Sequence, residues 1–324
     1  MKNKNVLVTG GAGFIGSHLV KRLVDLDTNV TVTVKYKSLI DCVRLVSVWD
    51  RINVVEADLR NLDSIIYIKS LKEKFDIIFH LAAYNHVGDS FAHVQESLIT
   101  NLLGTANLLE HGPEYEKFIY TATSEIYGYQ EEVPFNEEYL PFPISPYAVG
   151  KYAGELYAKL KKHQEGTDIV CLRPFNTFGP YQSERAIIPE IIVKCLKGKT
   201  IETTEGLQTR EFNYVENIID AFIAAASINN IPDQSINIGS NKEISIKELV
   251  ETIHNLTKSK SKLLIGALPN RPTEIWRMSA DNKLAKDLLN WEPIISFEKG
   301  LSKTIDWYRK FIQLYYSDSG LRKL

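Results

Sequence analysis

The chain alternates short apolar stretches with longer segments whose apolar residues recur at helical spacing. The short stretches predict strands, and continuous apolar runs between turns are typical of strands that are buried on both faces. The predicted strands span residues 6–9, 30–34, 52–56, 75–79, 117–122, 168–173 and 236–239. The predicted helices span residues 17–26, 94–110, 147–161, 186–196, 218–226 and 245–256. This alternation predicts an α/β fold with a doubly wound parallel sheet.

A glycine-rich turn follows the first predicted strand directly. It contains Gly10, Gly13 and Gly16, with Phe14 and Ile15 between the last two, and the first helix follows. Glycines allow the backbone to approach a pyrophosphate, and the unpaired amides of the helix N-terminus face its charge. A strand, a turn and a helix in this order predict a dinucleotide phosphate site in a Rossmann sheet.

The regular alternation of strands and helices breaks down after residue 173. We therefore expect a dinucleotide-binding Rossmann domain at residues 1–176, with returning segments at about 212–240. Residues 177–211 and 241–314 are expected to form a smaller C-terminal α/β substrate-binding domain, and residues 315–324 a tail.

The end of the second strand bears on which dinucleotide binds. A protein specific for NAD usually has an acidic residue there to hold the ribose hydroxyls. This chain has Lys35 and Lys37, with Arg44 further on. These cations suit a 2′-phosphate, so the sequence favours NADP(H), with NAD(H) as the alternative.

Two further segments are expected to contact the cofactor. Asp58, followed by Leu59, comes directly after the third strand, where its carboxylate either accepts from the adenine amino group or starts a turn. The segment Leu81, Ala82 and Ala83 follows the fourth strand, and its small residues let a cofactor lie against the backbone.

Candidate catalytic residues follow the fifth strand. Thr123, Ser124 and Glu125 lie at its C-terminal end, where open parallel sheets bind ligands. Further on, Tyr147 and Lys151 lie four residues apart on one face of a helix. Free tyrosine titrates near pH ~10, so a base near neutrality needs a shift of roughly three units, about 4 kcal/mol. A neighbouring ammonium and an oxidised nicotinamide would supply it; otherwise Tyr147 and Lys151 are an exposed pair on a surface helix.

Composition narrows the classes of partner. The chain has 324 residues with 38 Lys plus Arg and 40 Asp plus Glu, a net charge of -2 without a long charged block. Nothing here favours binding to nucleic acid or a membrane. The cysteines, Cys42, Cys171 and Cys195, lack metal-ligand spacing, so no metal site is expected, and we read them as reduced thiols of a cytoplasmic protein. The first strand leaves no room for a signal peptide, and the apolar runs are too short to span a bilayer.

With these residues assembled, the chain resembles the extended short-chain dehydrogenase/reductase family, the NAD-dependent epimerases and dehydratases that act on nucleotide sugars. The likeness is closest to the nucleotide-sugar 4,6-dehydratases. The shared fingerprint comprises residues 9–16, Thr123, Tyr147, Lys151 and residues 173–176. Residues 82–87 and 90–91 resemble a stretch of the hexose 4,6-dehydratases in general, and residues 179–182, 188–189 and 210–215 are similar to the dTDP-glucose dehydratases. Residues 123–125, residues 271–274 and the spacing from Lys35 to Arg44 are more similar to GDP-mannose dehydratases.

The chain departs from the family's pattern at three positions. Asn85 stands where serine is usual, and Gly150 replaces a serine or threonine. Ser124 occupies the place of the aspartate acid of the dTDP-glucose enzymes.

The resemblance implies conversion of a nucleoside-diphosphate hexose, with a GDP-sugar favoured, into its 4-keto-6-deoxy form. Tyr147, assisted by Lys151 and Thr123, would take the proton of the C4 hydroxyl while the C4 hydride passes to the nicotinamide. Glu125 would then remove the C5 proton, and water would leave C6 with help from Glu125 or Ser124. A 4-epimerase needs no base at C5, so Glu125 is the discriminating residue unless it is only structural.

The resemblance also suggests substrate contacts and an assembly. Candidate contacts are His86 and Ser90 for the hexose, Asn176, Arg185, Arg210 and Arg271 for the diphosphate, and Glu274 for the ribose. His86 is alternatively an ordinary loop histidine, and each of the arginines is alternatively a solvated surface charge. The helices at residues 94–110 and 147–161 are expected to pair in a homodimer.

Three other functions stay open. A nucleotide-sugar 4-epimerase would release no deoxy sugar. A UDP-glucuronate decarboxylase also uses a Thr-Ser-Glu set, and it would need a cation such as Arg185 to hold the substrate carboxylate. A dinucleotide sensor without catalysis would keep the glycine turn, but the complete set of catalytic residues argues against it.

Overall fold

A computed structural model describes residues 1–36, 42–270 and 274–316. Its strands are β1 (Asn5–Thr9), β2 (Asn29–Val34), β3 (Ile52–Glu56), β4 (Lys74–His80), β5 (Glu114–Thr121), β6 (Asp168–Pro174), β7 (Thr177–Phe178), β8 (Ile201–Thr203), β9 (Thr209–Arg210), β10 (Asn213–Tyr214), β11 (Ser235–Ile238), β12 (Ile244–Ser245) and β13 (Leu263–Ile265). The seven predicted strands correspond to β1–β6 and β11.

The helices extend the predicted ones and add others. They are α1 (Phe14–Asp25), α2 (Leu62–Leu71), α3 (Val94–Leu98), α4 (Gly104–His111), α5 (Pro146–Glu165), α6 (Ile187–Leu196), α7 (Val215–Ser227), α8 (Ile246–Thr257), α9 (Lys283–Leu289) and α10 (Phe297–Tyr316). A 3₁₀ helix covers Val43–Arg51, and a π-helical turn, Ile99–Leu103, joins α3 to α4. None of the helices in the described ranges is long and apolar enough to cross a membrane.

The central sheet is parallel and has seven strands in the order β11-β6-β5-β4-β1-β2-β3. The chain moves outward from β1 to β3, returns to β4 on the other side of β1, and then continues outward. The order therefore reverses between β1 and β4, and such a reversal opens a crevice at the carboxyl ends of the strands. The predicted doubly wound Rossmann sheet is confirmed, whereas the division into domains stays a prediction.

Alternate residues of the central strands belong to different cores. Val6 and Val8 pack in the core on one face of the sheet, and Leu7 packs in the core on the other. The same alternation separates Phe79 from Ile78 on β4. Both faces are buried because helices cover both, which explains the continuous apolar runs in the sequence.

Helix α5 starts and ends where the sequence has its signals. The Ser145 side chain accepts from the Ala148 amide at 3.1 Å, and Pro146 occupies the first turn. The helix ends at Gly166, whose φ of 66° favours glycine. These signals fix the residue at which the helix begins, and so they fix the positions of Tyr147 and Lys151 relative to the strand ends.

A smaller core joins the C-terminal segments to the loop after β5. It contains Ile126, Tyr127, Phe135, Phe175 and Met278, all buried. This core brings the extended segment around Met278 under the carboxyl end of the sheet, next to the predicted catalytic residues.

Candidate active site

A cleft of about 820 Å³ opens at the carboxyl ends of β1, β4, β5 and β6. It collects most of the residues that the sequence singled out. Those lining it are Gly10, Gly13, Phe14, Ile15, Gly16, Lys35, Arg44, Asp58, Leu59, Leu81, Ala82, Ala83, His86, Thr123, Ser124, Glu125, Tyr147, Lys151, Asn176 and Arg185. Lys37 and Arg271 lie outside the described residues.

The glycine turn forms one end of the cleft. Gly10 has a φ of +69°, and a Cβ there would lie 2.7 Å from the Ala82 amide nitrogen. A Cβ on Gly16 would lie 2.3 Å from the Gly10 carbonyl oxygen. Helix α1 begins after Gly13, which offers no side-chain cap, so its first amides are directed at the cleft. This cradle fits a dinucleotide pyrophosphate.

Ion pairs occupy the adenosine end. Lys35 Nζ lies 3.3 Å from Glu96 Oε1, and Arg60 Nη1 lies 3.2 Å from the same oxygen. Arg60 also holds Asp58 at 2.5 Å, and its hydrogen bond lowers the pKa of that carboxyl. The Arg60 amide donates to Asp58 Oδ1, so Asp58 does start a turn, the second of the two expected roles. Arg44 donates to the Ala12 carbonyl at 3.1 Å.

Tyr147 and Lys151 lie in the middle of the cleft, and their protonation differs from the expectation. Burial raises the pKa of Tyr147 to about 12, while its hydrogen bond with Thr123 acts in the opposite direction. Burial lowers the pKa of Lys151 to about 7, and only 2% of its surface is exposed. Burial of Lys151 therefore opposes the ammonium that the sequence predicts beside the tyrosine.

A buried polar network supports Lys151 from below. Its Nζ lies 4.4 Å from the centre of the Tyr120 ring, and the Tyr120 hydroxyl donates to the Lys151 carbonyl at 2.9 Å. Beside it, His80 bridges Thr9 Oγ1 at 2.7 Å and Thr105 Oγ1 at 3.0 Å. Burial lowers the pKa of His80 to about 3, so this ring is neutral and packed.

The residues that follow β5 place the carboxyl group of Glu125 beside Tyr147. Thr123 and Ser124 are nearly buried, and the Thr123 hydroxyl accepts from the Glu125 amide at 3.2 Å. Burial raises the pKa of Glu125, while the charge of Arg210 acts in the opposite direction. A carboxyl group with a raised pKa, next to a tyrosine, is able to accept a proton and return it.

The opposite wall carries weakly engaged polar groups. Ser124 Oγ donates to Met278 Sδ at 3.8 Å, and Asn176 Nδ2 lies 4.0 Å from the same sulfur. Thioether sulfur is a weak acceptor, so a ligand hydroxyl or phosphate oxygen is a better partner for both side chains.

Three predicted substrate contacts lie outside the cleft lining. Ser90 is fully buried and donates to the Val87 carbonyl at 2.6 Å, so its assignment to the hexose is corrected. Arg210 and Glu274 pair with each other at 2.9 Å, with side chains 18% and 12% exposed. A ligand that binds either side chain would share or replace this contact.

Sequence reasoning missed one positioning residue. Asn101 lies in the π-helical turn and is 1% exposed. Its side chain accepts from the Tyr84 amide at 2.9 Å and donates to the Tyr84 carbonyl at 3.1 Å. It thereby fixes the loop that follows Ala83 at the cleft. A buried asparagine within a helical pattern, followed by Gly104, was the available signal.

Comparisons with known proteins agree with this arrangement. The family model described as GDP-mannose 4,6 dehydratase matches residues 7–304. The dTDP-D-glucose 4,6-dehydratase of Homo sapiens is 33% identical over 328 residues, covering 95% of this chain and 90% of the human protein. UDP-glucuronic acid decarboxylase 1 of Xenopus tropicalis is 32% identical over 319 residues, covering 96% and 73%. The structure of UDP-glucuronic acid 4-epimerase from Bacillus cereus, solved with UDP-glucuronic acid and NAD, superposes with a TM-score of 0.86 at 28% identity, covering 95% and 99%.

The burial of Lys151 generates a prediction about stability. Because its pKa falls from 10.5 to about 7 on folding, the unfolded chain binds more protons between these values, and stability rises with pH across that window. Replacing Lys151 by methionine removes the cost of burying the ammonium. We expect Lys151→Met to raise the melting temperature, and to raise it more at pH 6.5 than at pH 9.5, in thermal unfolding followed by circular dichroism.

The control is Lys310→Met, which alters an exposed lysine of α10 and should show no such difference between the two pH values. A lower melting temperature for Lys151→Met at both pH values would contradict the buried, uncharged lysine.

Proposed function

The chain belongs to the family that the GDP-mannose 4,6 dehydratase model describes, and from this premise we propose that it is a nucleotide-sugar 4,6-dehydratase. It would convert a nucleoside-diphosphate hexose into the 4-keto-6-deoxyhexose. The observation that carries this proposal is Glu125, a carboxyl group with a pKa raised by burial, at the strand end beside Thr123 and Tyr147.

In the first half of the reaction Tyr147 accepts the proton of the sugar C4 hydroxyl. Its pKa of about 12 makes the phenolate rare, so positive charge nearby is needed to stabilise it. Protonated Lys151 supplies part of that charge, and Thr123 contributes its hydrogen bond. A nicotinamide dinucleotide held by the glycine turn would supply the hydride chemistry that oxidation at C4 and reduction at C6 require.

In the second half Glu125 removes the C5 proton, which the C4 ketone has made acidic. The same carboxyl group then protonates the C6 hydroxyl as it leaves as water. A raised pKa suits both steps, because the group is neither a permanent anion nor a permanent acid. Ser124 assists by donating to the leaving oxygen, a better acceptor than the sulfur of Met278.

For the cofactor we propose NAD(H), although the sequence favoured NADP(H). The cations at the adenosine end already have protein partners: Lys35 pairs with Glu96, and Arg44 donates to the Ala12 carbonyl. Glu96 also brings a carboxylate to the end of β2, where NAD-binding sheets usually have an acid. The epimerase from Bacillus cereus was solved with NAD.

We favour a GDP-hexose as substrate because residues 123–125 and Glu274 follow the GDP-mannose pattern and the family model carries that description. We also propose a cytoplasmic location, since the thiols of Cys171 and Cys195 are buried and form no disulfide.

The test of the function is a panel of GDP-, UDP-, dTDP- and CDP-hexoses incubated with the protein and either NAD or NADP, with product masses followed. We expect one hexose to lose one water without net reduction of the cofactor. An unchanged mass with inverted C4 would identify an epimerase instead. Release of carbon dioxide from UDP-glucuronate would identify a decarboxylase.

The role of Glu125 predicts that Glu125→Gln separates the two halves of the reaction. C4 oxidation should persist, visible as transient absorbance of the reduced cofactor, because Tyr147 and Lys151 are intact. Formation of the keto-deoxy product should fall on the order of a hundredfold or more, because the amide cannot move the C5 proton.

Glu137→Gln is the matched control, since burial also raises the pKa of Glu137, which lies away from the cleft and accepts from the Asn237 amide. It should turn over normally, whereas Tyr147→Phe should lose both halves. Wild-type turnover in Glu125→Gln would remove Glu125 from the mechanism.

We further propose a homodimer through α5 and the π-helical turn. Val149, Leu156 and Leu160 form a stripe along α5 that is 43–49% exposed, next to the exposed Leu102 and Leu103. These residues lie opposite the buried face of the helix, where they cover no part of their own chain's core. An apolar stripe of this kind marks a protein contact.

The double variant Leu156→Asp/Leu160→Asp should therefore be a monomer of 36.8 kDa in light scattering, while the wild type has twice that mass. Ile294→Asp, at an 84% exposed apolar position elsewhere, should leave the mass unchanged. A monomeric wild type would overturn the proposed pairing.

A further inference from the structure

An ion pair joins the two walls of the cleft at its hexose end. Arg185, in the loop after β7, places Nη1 2.6 Å from Asp89 Oδ2, in the single helical turn after β4. The two residues are 96 positions apart in the chain. The chain reaches these two segments from β4 and, through β7, from β6, and β4 and β6 lie on either side of β5, whose carboxyl end carries Glu125. The pair therefore lies across the space in which a sugar would sit above Glu125.

Asp89 is held in place by its own turn. Its amide donates to His86 Nδ1 at 2.9 Å, and its Oδ1 lies 3.4 Å from the same nitrogen. His86 lines the cleft beside Arg185, so the backbone of Asp89 is anchored on one wall while the guanidinium reaches its carboxylate from the other. The Arg185 side chain is 65% exposed and that of Asp89 34%, so Arg185 is the partner with more room to move.

Cations at this end of the cleft are few among the described residues that line it. Lys151 lies beneath the tyrosine, 2% exposed, and burial has lowered its pKa to about 7. Arg185 is the other one, and Asp89 offsets its charge. Behind the lining, Arg210 is similarly offset by Glu274 at 2.9 Å.

A hexuronate differs from a hexose in having a carboxylate at C6, the carbon that Glu125 and Ser124 serve in the proposed dehydration. That carboxylate would face the carboxyl group of Glu125 and the anion of Asp89, and the described arginine that lines this end of the cleft, Arg185, has its charge offset by Asp89. A neutral hydroxymethyl group meets no such repulsion, and it offers a hydroxyl to Ser124.

We propose that Asp89 determines substrate class, selecting sugars with a neutral C6 over hexuronates by holding Arg185 away from the substrate. This inference rests on the proposed function only for the placement of C6 beside Glu125. It assigns Asp89 a role in specificity rather than in chemistry.

The experiment measures dissociation constants by calorimetry on the cofactor-loaded protein for two ligands that share a nucleotide and differ at C6. The ligands are UDP-glucose and UDP-glucuronate, or GDP-mannose and GDP-mannuronate if the panel identifies a GDP-sugar. We expect the wild type to bind the neutral sugar at least about tenfold more tightly. Asp89→Asn should free Arg185 to bind the uronate carboxylate. The ratio of the two dissociation constants should then narrow about fivefold, which is the effect of one exposed ion pair.

The double variant Asp89→Asn/Arg185→Gln should restore the wild-type preference, because the freed cation is then gone. Asp306→Asn, which breaks the exposed Arg309–Asp306 pair of 2.8 Å on α10, is the matched control and should leave the ratio unchanged. Equal binding of the two ligands by the wild type, or an unchanged ratio in Asp89→Asn, would overturn the proposal.

The product assay separates this inference from the proposed function. A neutral-sugar preference that depends on Asp89, together with an inverted C4 in the product, would keep the inference and reject the dehydratase. Water loss from a hexose with no effect of Asp89→Asn would keep the dehydratase and reject the inference.

Discussion

Burial of Lys151 between α5 and the sheet is the constraint on which the rest of the site depends. The lysine reaches its position because α5 approaches its neighbours closely at two glycines on either side of it. A Cβ on Gly154 would lie 2.4 Å from the Tyr120 hydroxyl, and a Cβ on Gly150 would lie 3.1 Å from Asn101 Cβ. At Gly150, the glycine that departs from the family's serine or threonine, a Cβ would push Asn101 away by a few tenths of an ångström. Close packing excludes water from Lys151, lowers its pKa to about 7, and so makes its charge depend on what binds beside it.

Much of the fold could be predicted because its signals are local. Continuous apolar runs identified the seven strands, and Ser145 with Pro146 identified the start of α5. Helix α2 escaped prediction because it bears apolar residues on both faces, with Ile65 and Ile68 buried and Ile66 and Tyr67 exposed, so no helical stripe stands out. The glycine turn and the residues at the end of β5 reached the cleft as expected, since topology alone directs strand ends there.

Ion pairs are what the sequence could not reveal. Lys35 pairs with a residue 61 positions away, Arg210 with one 64 away, and Arg185 with one 96 away. Each of these side chains was expected to hold a phosphate, and each instead meets a carboxylate of the same chain. Such pairing depends on which loops the sheet order brings together. It also means that an anionic ligand gains only the difference between its own contact and the one it replaces, so charge in this cleft discriminates among ligands more than it strengthens their binding.

Because position 124 carries a serine, the pKa of the buried Glu125 decides which proton transfers the site can perform. Where an aspartate at that position would provide a separate acid, a serine hydroxyl has far too high a pKa to protonate a leaving hydroxyl by itself. In the proposed dehydration one carboxyl group would therefore take the C5 proton and deliver it to C6, and a carboxyl group with the ordinary pKa of about 4.3 would hold that proton too weakly. Burial raises the pKa of Glu125, and the charge of Arg210 limits the rise. Since Glu274 offsets part of the Arg210 charge, the same pair that competes for the diphosphate also sets the proton affinity of the acid. Binding of a diphosphate to Arg210 would then weaken its hold on the Glu125 anion and favour the protonated form, which is the form needed when the C6 hydroxyl leaves.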